Sequence, residues 1–326
     1  RIVSLAKDQY GCRYLQCKLE DGEQAVVDLI FHECYETFVE LMTEPFANYL
    51  VQKLFEHCDD SQRLLLVKRC SPSLPSVCVN MHGTRAVQRM IDFLSTSEQI
   101  SHVCASIAPS SVSLMKDING NHCIQRCLQR IKPPFNQFIY DAALESCCEL
   151  SCHRHGCCVI QRCLDFASPV QRKTLVERII LHSLVLVQNP FGNYVVQYVL
   201  DLSELEYTSA IVHQLEGNLV ELSVQKFSSN VVEKCFQKAE PELRCKLIAE
   251  LISRPDMIRR LLLDSFGNYV IQRALQLAET PQFEQLCDVI RPHLPCLKAS
   301  PYGKRIQSKI LKRFPKMMPN PTPHHE

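Results

Sequence analysis

The chain contains a five-residue element, which we call the pentad, in eight copies that keep a nearly constant spacing. The copies are CRYLQ at 12–16, NYLVQ at 48–52, TRAVQ at 84–88, NHCIQ at 121–125, CCVIQ at 157–161, NYVVQ at 193–197, SNVVE at 229–233 and NYVIQ at 268–272. Successive copies begin 36, 36, 37, 36, 36, 36 and 39 residues apart. A fixed period of this size is typical of a solenoid, in which helical repeats stack in one dimension.

The pentad predicts the first turns of a helix with two different sides. At about 100° per residue, positions one, two and five share one face, and positions three and four lie opposite. Positions three and four are predicted to be core, because every pair is apolar or thiol: Tyr14/Leu15, Leu50/Val51, Ala86/Val87, Cys123/Ile124, Val159/Ile160, Val195/Val196, Val231/Val232 and Val270/Ile271. The other face carries polar and flat side chains at the same place in each repeat. Seven of the nine glycines directly precede a copy, counting a degenerate ninth copy at 304–308, so they are expected to serve the geometry of the repeat.

The sequence between the pentads shows helical periodicity and no strand pattern, so the fold class is predicted to be all-α. The chain starts at Arg1 without a methionine, and we expect the first repeat to be truncated. The degenerate copy KRIQS, with Gln307 out of register, predicts a capping repeat from about 296. The repeat domain is predicted to cover 1–315, and the proline-rich segment 316–326 to be a flexible tail. The extra residues of the 39-residue step are expected in a basic loop at 253–260.

Composition narrows the function classes. The net charge is +1, which neither favours nor excludes a nucleic-acid partner, and no apolar stretch approaches the length of a membrane span. Nineteen cysteines in a long chain, many at helical core positions, are expected to be reduced and intracellular. The segment CCELSCHRHGCC at 147–158 suggests zinc, but it has no paired CxxC knuckle, so we predict no metal. No catalytic set or phosphate loop recurs; we predict no enzyme activity and no cofactor.

The eight pentads, including SNVVE preceded by KFS at 226–228, resemble the repeats of the Pumilio (PUF) family of RNA-binding proteins. The resemblance extends over nearly the whole chain. It implies a right-handed α-solenoid, a crescent of eight three-helix repeats with a C-terminal cap. It also implies that single-stranded RNA lies along the concave face, one base per repeat, with its 5′ end at the carboxy-terminal repeat.

The resemblance assigns base contact to positions one, two and five of each pentad, where position two stacks on the base. These residues are Cys12, Arg13 and Gln16; Asn48, Tyr49 and Gln52; Thr84, Arg85 and Gln88; Asn121, His122 and Gln125; Cys157, Cys158 and Gln161; Asn193, Tyr194 and Gln197; Ser229, Asn230 and Glu233; and Asn268, Tyr269 and Gln272.

The identities of these residues imply a target. Asn with Tyr and Gln fits uracil, as at Asn193, and Ser229 with Glu233 fits guanine, because a carboxylate accepts from the N1–H and N2–H₂ donors of that base. Cys or Thr with Gln fits adenine, and the repeat with His122 is permissive. Read from the eighth repeat backwards, the predicted target is 5′-UGUANAUA-3′.

The resemblance further implies a monomeric, cytoplasmic protein that represses or destabilises messenger RNA through 3′ untranslated regions, with protein co-repressors near 253–260. Two alternatives are a protein-binding solenoid of the HEAT or armadillo type and a PUF-type ribosome-assembly factor with weak sequence preference. HEAT and armadillo repeats have a longer period than this chain, which argues against the first alternative. The nearly intact base code argues against the second. A lysine or arginine follows six pentads, and two roles stay open for it, contact with phosphate or a salt bridge: Lys53, Arg89, Arg126, Arg162, Lys234 and Arg273.

Overall fold

The computed structural model describes residues 1–298 and 300–313, and these residues form helices and connecting turns without a strand. The chain divides into two compact units, with the boundary between Leu175 and Val176. In chain order the helices of the first unit are α1 Ile2–Ala6, α2 Gln9–Glu20, α3 Gln24–Tyr35, α4 Phe38–Thr43, α5 Ala47–His57, α6 Asp60–Cys70, α7 Leu74–Val79, α8 Gly83–Asp92, α9 Ser97–Ile107, α10 Ser111–Lys116, α11 Gly120–Arg130, α12 Gln137–Glu145, α13 Cys147–Ser151, α14 Gly156–Phe166 and α15 Pro169–Leu181, which contains the boundary.

The second unit continues the same order. Its helices are α16 Ser183–Leu186, α17 Gly192–Asp201, α18 Leu205–Leu215, α19 Leu219–Ser223, α20 Ser228–Lys238, α21 Pro241–Ile252, α22 Pro255–Leu263, α23 Gly267–Leu277, α24 Gln282–Ile290, α25 Leu294–Leu297 and α26 Gly303–Arg313. Short 3₁₀ turns lie at Ser71–Ser73, Ala108–Ser110 and Arg291–His293. The prediction of an all-α fold is confirmed.

Each repeat consists of three helices: a short first one, a second one that carries the pentad, and a third one. We call α2, α5, α8, α11, α14, α17, α20 and α23 the pentad helices. In the first unit they pack in sequence from α2 to α14, and in the second from α17 through α20 and α23 to α26. The third helices of successive repeats also pack, as α3 does on α6 and α21 on α24. This serial packing is the solenoid arrangement that the period predicted.

Positions three and four of the pentad form the core, as predicted, with one exception. From Leu50 to Ile271 these side chains are at most 3% exposed, whereas Tyr14 is 57% exposed. The contacts of position three explain the difference. Cys123 Sγ lies 3.4 Å from Thr84 Oγ1, on the pentad helix of the preceding repeat. Among the described residues α2 has no such preceding pentad helix, so the prediction that Tyr14 is core is wrong.

The glycine before the pentad is explained by close contact with the short helix. A Cβ added at Gly156 would lie 2.5 Å from the carbonyl oxygen of Leu150, and one at Gly303 would lie 1.8 Å from that of Leu297. Real Cβ atoms do not approach a carbonyl this closely. Glycine therefore lets the pentad helix start directly against the short helix of its own repeat.

The extra residues of the 39-residue step lie in a helix, so the prediction of a loop at 253–260 is wrong. Helix α21 ends at Ile252, and α22 covers Pro255–Leu263 with nine residues. The corresponding helices α4, α7, α10, α13, α16 and α19 have between four and six residues. Pro255 stands in the first turn of α22, where its fixed φ and missing N–H are compatible with a helix. The insertion lengthens the short helix of the eighth repeat.

The C-terminal cap consists of α25 and α26, which follow the eighth repeat as the degenerate ninth pentad predicted. The predicted tail at 316–326 lies outside the described residues. Among the described helices none has the length and apolar content that a membrane span requires.

Candidate nucleic-acid interface

The pentad helices place the side chains of positions one, two and five at levels of exposure that differ between the positions and recur from repeat to repeat. Position one is buried, at most 5% exposed from Cys12 to Asn268. Position two is exposed in all eight repeats, and position five is half-buried in seven, with Gln272 buried. The sequence predicted that position one lies on the exposed face, and that prediction is wrong. Position one stands only about 60° around the helix from position four, so it lies at the margin of the core.

The buried asparagines tether the glutamine at position five. Asn48 Nδ2 donates to the carbonyl oxygens of Glu44 at 2.8 Å and Pro45 at 2.9 Å, and its Oδ1 accepts from Gln52 Nε2 at 3.1 Å. The same tether joins Gln125 to Asn121, Gln197 to Asn193 and Gln272 to Asn268, at 2.8 to 3.0 Å. The tether uses one N–H of the glutamine. Its second N–H and its carbonyl oxygen are the groups that a base edge can pair with.

The repeats that start with Cys or Thr hold position one differently. Cys12 Sγ donates to the carbonyl oxygen of Phe46 at 3.1 Å, and Thr84 Oγ1 donates to that of Asn119 at 3.1 Å, both in the following repeat. Gln88 Nε2 still reaches Thr84 Oγ1 at 3.3 Å. Burial raises the pKa of the Cys157 thiol to about 12, with the neighbouring Cys158 adding to the effect. These thiols are therefore protonated hydrogen-bond donors.

Position two offers flat or extended surfaces for stacking. Tyr49, Tyr194 and Tyr269 are 45%, 59% and 43% exposed, well above the level of buried aromatic residues. Between the first two repeats, an open cavity of about 260 Å³ is lined by Arg13 and Tyr49 together with the side chains of Gln9, Cys12, Gln16 and Phe46. A guanidinium and a phenol ring on either side of such a space can hold a planar ring between them.

The seventh repeat differs because its position five is a carboxylate. Glu233 is half-buried, with its Oε2 3.7 Å from Arg273 Nη2 in the next repeat. Burial raises the pKa of Glu233, and the positive charge of Arg273 opposes that effect. Ser229, at position one, is buried.

The cations that follow the pentads are paired with carboxylates, which favours the salt-bridge role that the sequence left open. The pairs are Lys53 with Glu20 at 3.1 Å, Arg89 with Glu56 at 3.1 Å, Arg126 with Asp92 at 3.5 Å, Arg162 with Asp165 at 2.6 Å, Lys234 with Asp201, and Arg273 with Glu233 at 3.7 Å. Phosphate contact would compete with these pairs.

Sequence reasoning missed a group of capping residues four positions before the pentad. Asp264 Oδ1, for example, accepts from the backbone N–H groups of Phe266 and Gly267 at 2.8 Å each. The same pattern occurs at Asp8, Asn80, Asp117 and Asn189. In the fifth repeat His153 Nδ1 takes this role. The recurrence of Asp or Asn at this offset was the signal that could have revealed it.

The cysteine- and histidine-rich segment at 147–158 does not assemble a metal site. Within residues 1–298 and 300–313, no group of three or more His, Cys, Asp or Glu side chains is placed to hold a metal ion. The nineteen cysteines all lie within the described residues, and none of them forms a disulfide. Cys157 Sγ and Cys158 Sγ lie 4.0 Å apart at the pentad of the fifth repeat.

Comparison with known families identifies the repeat. The model of the Pumilio-family RNA binding repeat matches eight times, at residues 1–33, 38–69, 74–108, 111–142, 146–180, 182–216, 218–252 and 258–291. These matches cover most of the chain and coincide with the three-helix repeats. The chain belongs to the Pumilio family.

Curated relatives and solved structures agree with this assignment. A Pumilio domain-containing protein of Schizosaccharomyces pombe is 47% identical over 98% of this chain, and Pumilio homolog 12 of Arabidopsis thaliana is 42% identical over 95%. The chain spans about half the length of these relatives, 47% and 52%.

The similar solved structures include RNA-binding domains with RNA bound. The Puf4 RNA-binding domain bound to the recognition sequence in the 3′ UTR of HO endonuclease RNA matches with a TM-score of 0.85 and 42% identity, covering 94% of this chain and 97% of that one. The RNA-binding domain of yeast Puf5p bound to MFA2 RNA matches with a TM-score of 0.86 and 30% identity, covering 97% of each chain.

Proposed function

We propose that this chain binds single-stranded RNA sequence-specifically, one base per repeat, with 5′-UGUANAUA-3′ as its target. The observation that carries the proposal is the triplet that recurs in all eight pentad helices: a buried residue at position one, an exposed stacking residue at position two, and a half-buried or buried polar residue at position five. The backbone setting is constant and the side chains vary, which is the requirement for a code read one base at a time.

The chemistry of each triplet supports the assignment of bases. In the second, sixth and eighth repeats, the tethered glutamine offers one donor and one acceptor, which matches the N3–H and a carbonyl oxygen of uracil. In the seventh repeat, Glu233 accepts only, which matches guanine. Adenine is assigned to the first, third and fifth repeats, where Cys12, Thr84 or Cys157 stands at position one. The proposed activity is binding and not catalysis.

The proposed biological role is repression or decay of messenger RNA through 3′ UTR elements, carried out by a cytoplasmic monomer. The 3′ UTR sequences in the solved Puf complexes support the class of target. Repression requires recruited proteins, and we propose that co-repressors contact the chain around 253–260. This segment includes the first six residues of the lengthened helix α22, and Arg259 and Arg260 are exposed there. Replacing both arginines by alanine is expected to weaken co-repressor assembly at unchanged RNA affinity, and a parallel loss of RNA affinity would contradict this.

The function is tested by titrating labelled 5′-UGUANAUA-3′ with the purified chain in the presence of a metal chelator. The reversed oligonucleotide, 5′-AUANAUGU-3′, is a matched control because it has the same composition and charge. We expect tight binding of the first and binding at least about a hundredfold weaker of the second, since several bases would meet the wrong polar groups, each costing about 1–3 kcal/mol in the DNA case. Equal affinities would show a non-specific RNA binder, and loss of binding with chelator would contradict a metal-free site.

A further inference from the structure

Ion pairs of one register link successive repeats at four junctions, and we call these pairs the ladder. We number residues from the start of the pentad, so that position six directly follows the pentad and position nine lies one turn further on. The position-six cation pairs with the position-nine carboxylate of the preceding repeat in four places: Lys53 with Glu20, Arg89 with Glu56, Arg126 with Asp92, and Lys234 with Asp201.

The ladder changes between the seventh and eighth repeats. Position nine of the seventh repeat is Gln237, which carries no charge, and position six of the eighth repeat is Arg273. In the amide orientation that satisfies both groups, Gln237 Oε1 accepts from Arg273 Nη2 at 2.9 Å and from Nε at 3.3 Å. The group at position nine that holds the guanidinium of Arg273 is thus a neutral amide. Its charge is shared instead with Glu233 at position five, whose Oε2 lies 3.7 Å from Nη2.

The surroundings of Glu233 make this contact consequential. The carboxylate is half-buried, and burial raises its pKa while Arg273 lowers it. The two lysines of the same helix, Lys234 and Lys238, are both held by Asp201 of α17. Among the charged groups described on α17, α20 and α23, Arg273 is therefore the cation placed to stabilise the ionised form of Glu233.

We propose that Arg273, held in place by Gln237, is a positioning residue for guanine recognition: it keeps Glu233 ionised and oriented in the seventh repeat. The proposal rests on the proposed function, because it concerns how that carboxylate meets a base. A protonated carboxyl would present an O–H toward the N1–H and N2–H₂ groups of guanine and lose acceptor capacity. A glutamate or aspartate at position nine would instead hold Arg273 away from Glu233, as the other rungs of the ladder do.

The experiment measures the preference for UGUANAUA over UUUANAUA between about pH 5 and about pH 8, for the wild-type chain and Arg273→Gln. Near the upper limit both proteins keep Glu233 ionised, and we expect similar preferences for guanine. Toward the lower limit we expect the preference of Arg273→Gln to fall about two- to fivefold further than that of the wild type, the size expected for one partly exposed ion pair.

Three variants separate this role from a structural one. Arg273→Lys keeps the charge and is expected to retain the wild-type pH profile. Arg89→Gln removes the corresponding cation next to Gln52, a position-five residue without a carboxylate. This variant is also expected to retain the wild-type pH profile. Gln237→Glu supplies the missing carboxylate at position nine and is expected to reproduce the acid-side loss of Arg273→Gln. Thermal unfolding checks that each variant is folded.

The outcomes are distinct. Superimposable profiles for wild type and Arg273→Gln, or an equal loss of preference at every pH, would overturn the inference while leaving guanine recognition intact. A wild-type chain without preference for guanine near pH 8 would overturn the proposed function itself.

Discussion

At the scale of single residues, the proposed base code depends on the polar atoms at position five and on the residue at position one that accompanies them. Position five is glutamine in every repeat except the seventh, where it is Glu233. An amide offers both a donor and an acceptor, whereas an ionised carboxylate only accepts. In the proposed code, this difference between Gln197 and Glu233, together with Asn193 in place of Ser229 at position one, distinguishes uracil from guanine.

The double substitution Ser229→Asn with Glu233→Gln is expected to convert the seventh repeat to uracil. It recreates the pair found at Asn193 and Gln197, including the tether from amide to amide. Readout of one base by hydrogen bonds is worth on the order of 1–3 kcal/mol, so the preference between UGUANAUA and UUUANAUA should shift by about ten- to a hundredfold or more. Competition binding with both oligonucleotides measures the shift.

Asn230 stays at the stacking position in this variant, so its absolute affinity is expected to remain below that of a repeat with tyrosine. A double mutant that keeps the parental preference for guanine would contradict the assignment of these two residues to the second base.

The tether at position one predicts a separation of stability from recognition. Asn193→Ala removes the donor to the carbonyl oxygen of Asn189 and frees Gln197. We expect a loss of about 1–2 kcal/mol in the free energy of unfolding and weaker binding of the third base. Gln197→Ala, the matched control, should weaken binding to a similar degree with little change in stability. Equal stability of the two variants would show that the tether does not support the fold.

At the scale of elements, the repeat could be predicted from the sequence because period and polarity both report on one recurring helix. The packing of that helix against its neighbours could not. Asn48 looks like a surface residue by helical angle alone, and its burial depends on carbonyl groups supplied by the preceding turn. Likewise Tyr14 has the pattern of a core residue but lacks the pentad helix that would cover it. The segment at 253–260 has the composition of a loop. In the structure, however, Pro255 starts α22, which is the short helix of the eighth repeat and is longer than its counterparts in the other repeats.

The cap of α14 predicts a pH dependence of stability. His153 Nδ1 accepts from the N–H groups of His155 at 3.2 Å and Gly156 at 3.4 Å, which requires a neutral ring. Burial is the main cause that lowers the pKa of His153, and Lys116 and His155 add to it. Because the unfolded chain then binds more protons, stability falls as pH drops below about 6.5, the pKa of an unperturbed histidine.

His153→Asn places at this position the residue that caps the third and sixth repeats, and asparagine does not titrate. We expect the free energy of unfolding of the variant to fall less than that of the wild type between about pH 7 and about pH 5, by about 1 kcal/mol, the usual value of an N-cap. Chemical denaturation across this range measures the difference, with His155→Asn as the control. Parallel pH profiles for wild type and His153→Asn would contradict the role of the imidazole.

At the scale of the whole molecule, the net charge of +1 and the pairing of the six position-six cations predict a weak dependence of RNA affinity on salt. Single-stranded nucleic acid contributes a slope of about −0.7 per neutralised phosphate in log K against log [salt]. Cations already engaged with carboxylates release few counterions on binding. We therefore expect a slope shallower than about −4, the value for six phosphates. A steeper slope, measured by titration at several salt concentrations, would indicate that phosphate contacts carry most of the affinity.

The measurement that tests sequence-specific recognition most directly is the selection of bound RNA from a random pool by the purified chain, with chelator present. The eight triplets predict enrichment of UGUANAUA, with uracil, guanine, uracil and adenine at the 5′ end read by the eighth, seventh, sixth and fifth repeats, and no preference at the base that faces His122. A selected pool without a UGUA element, or one enriched only in total RNA length or charge, would contradict the account.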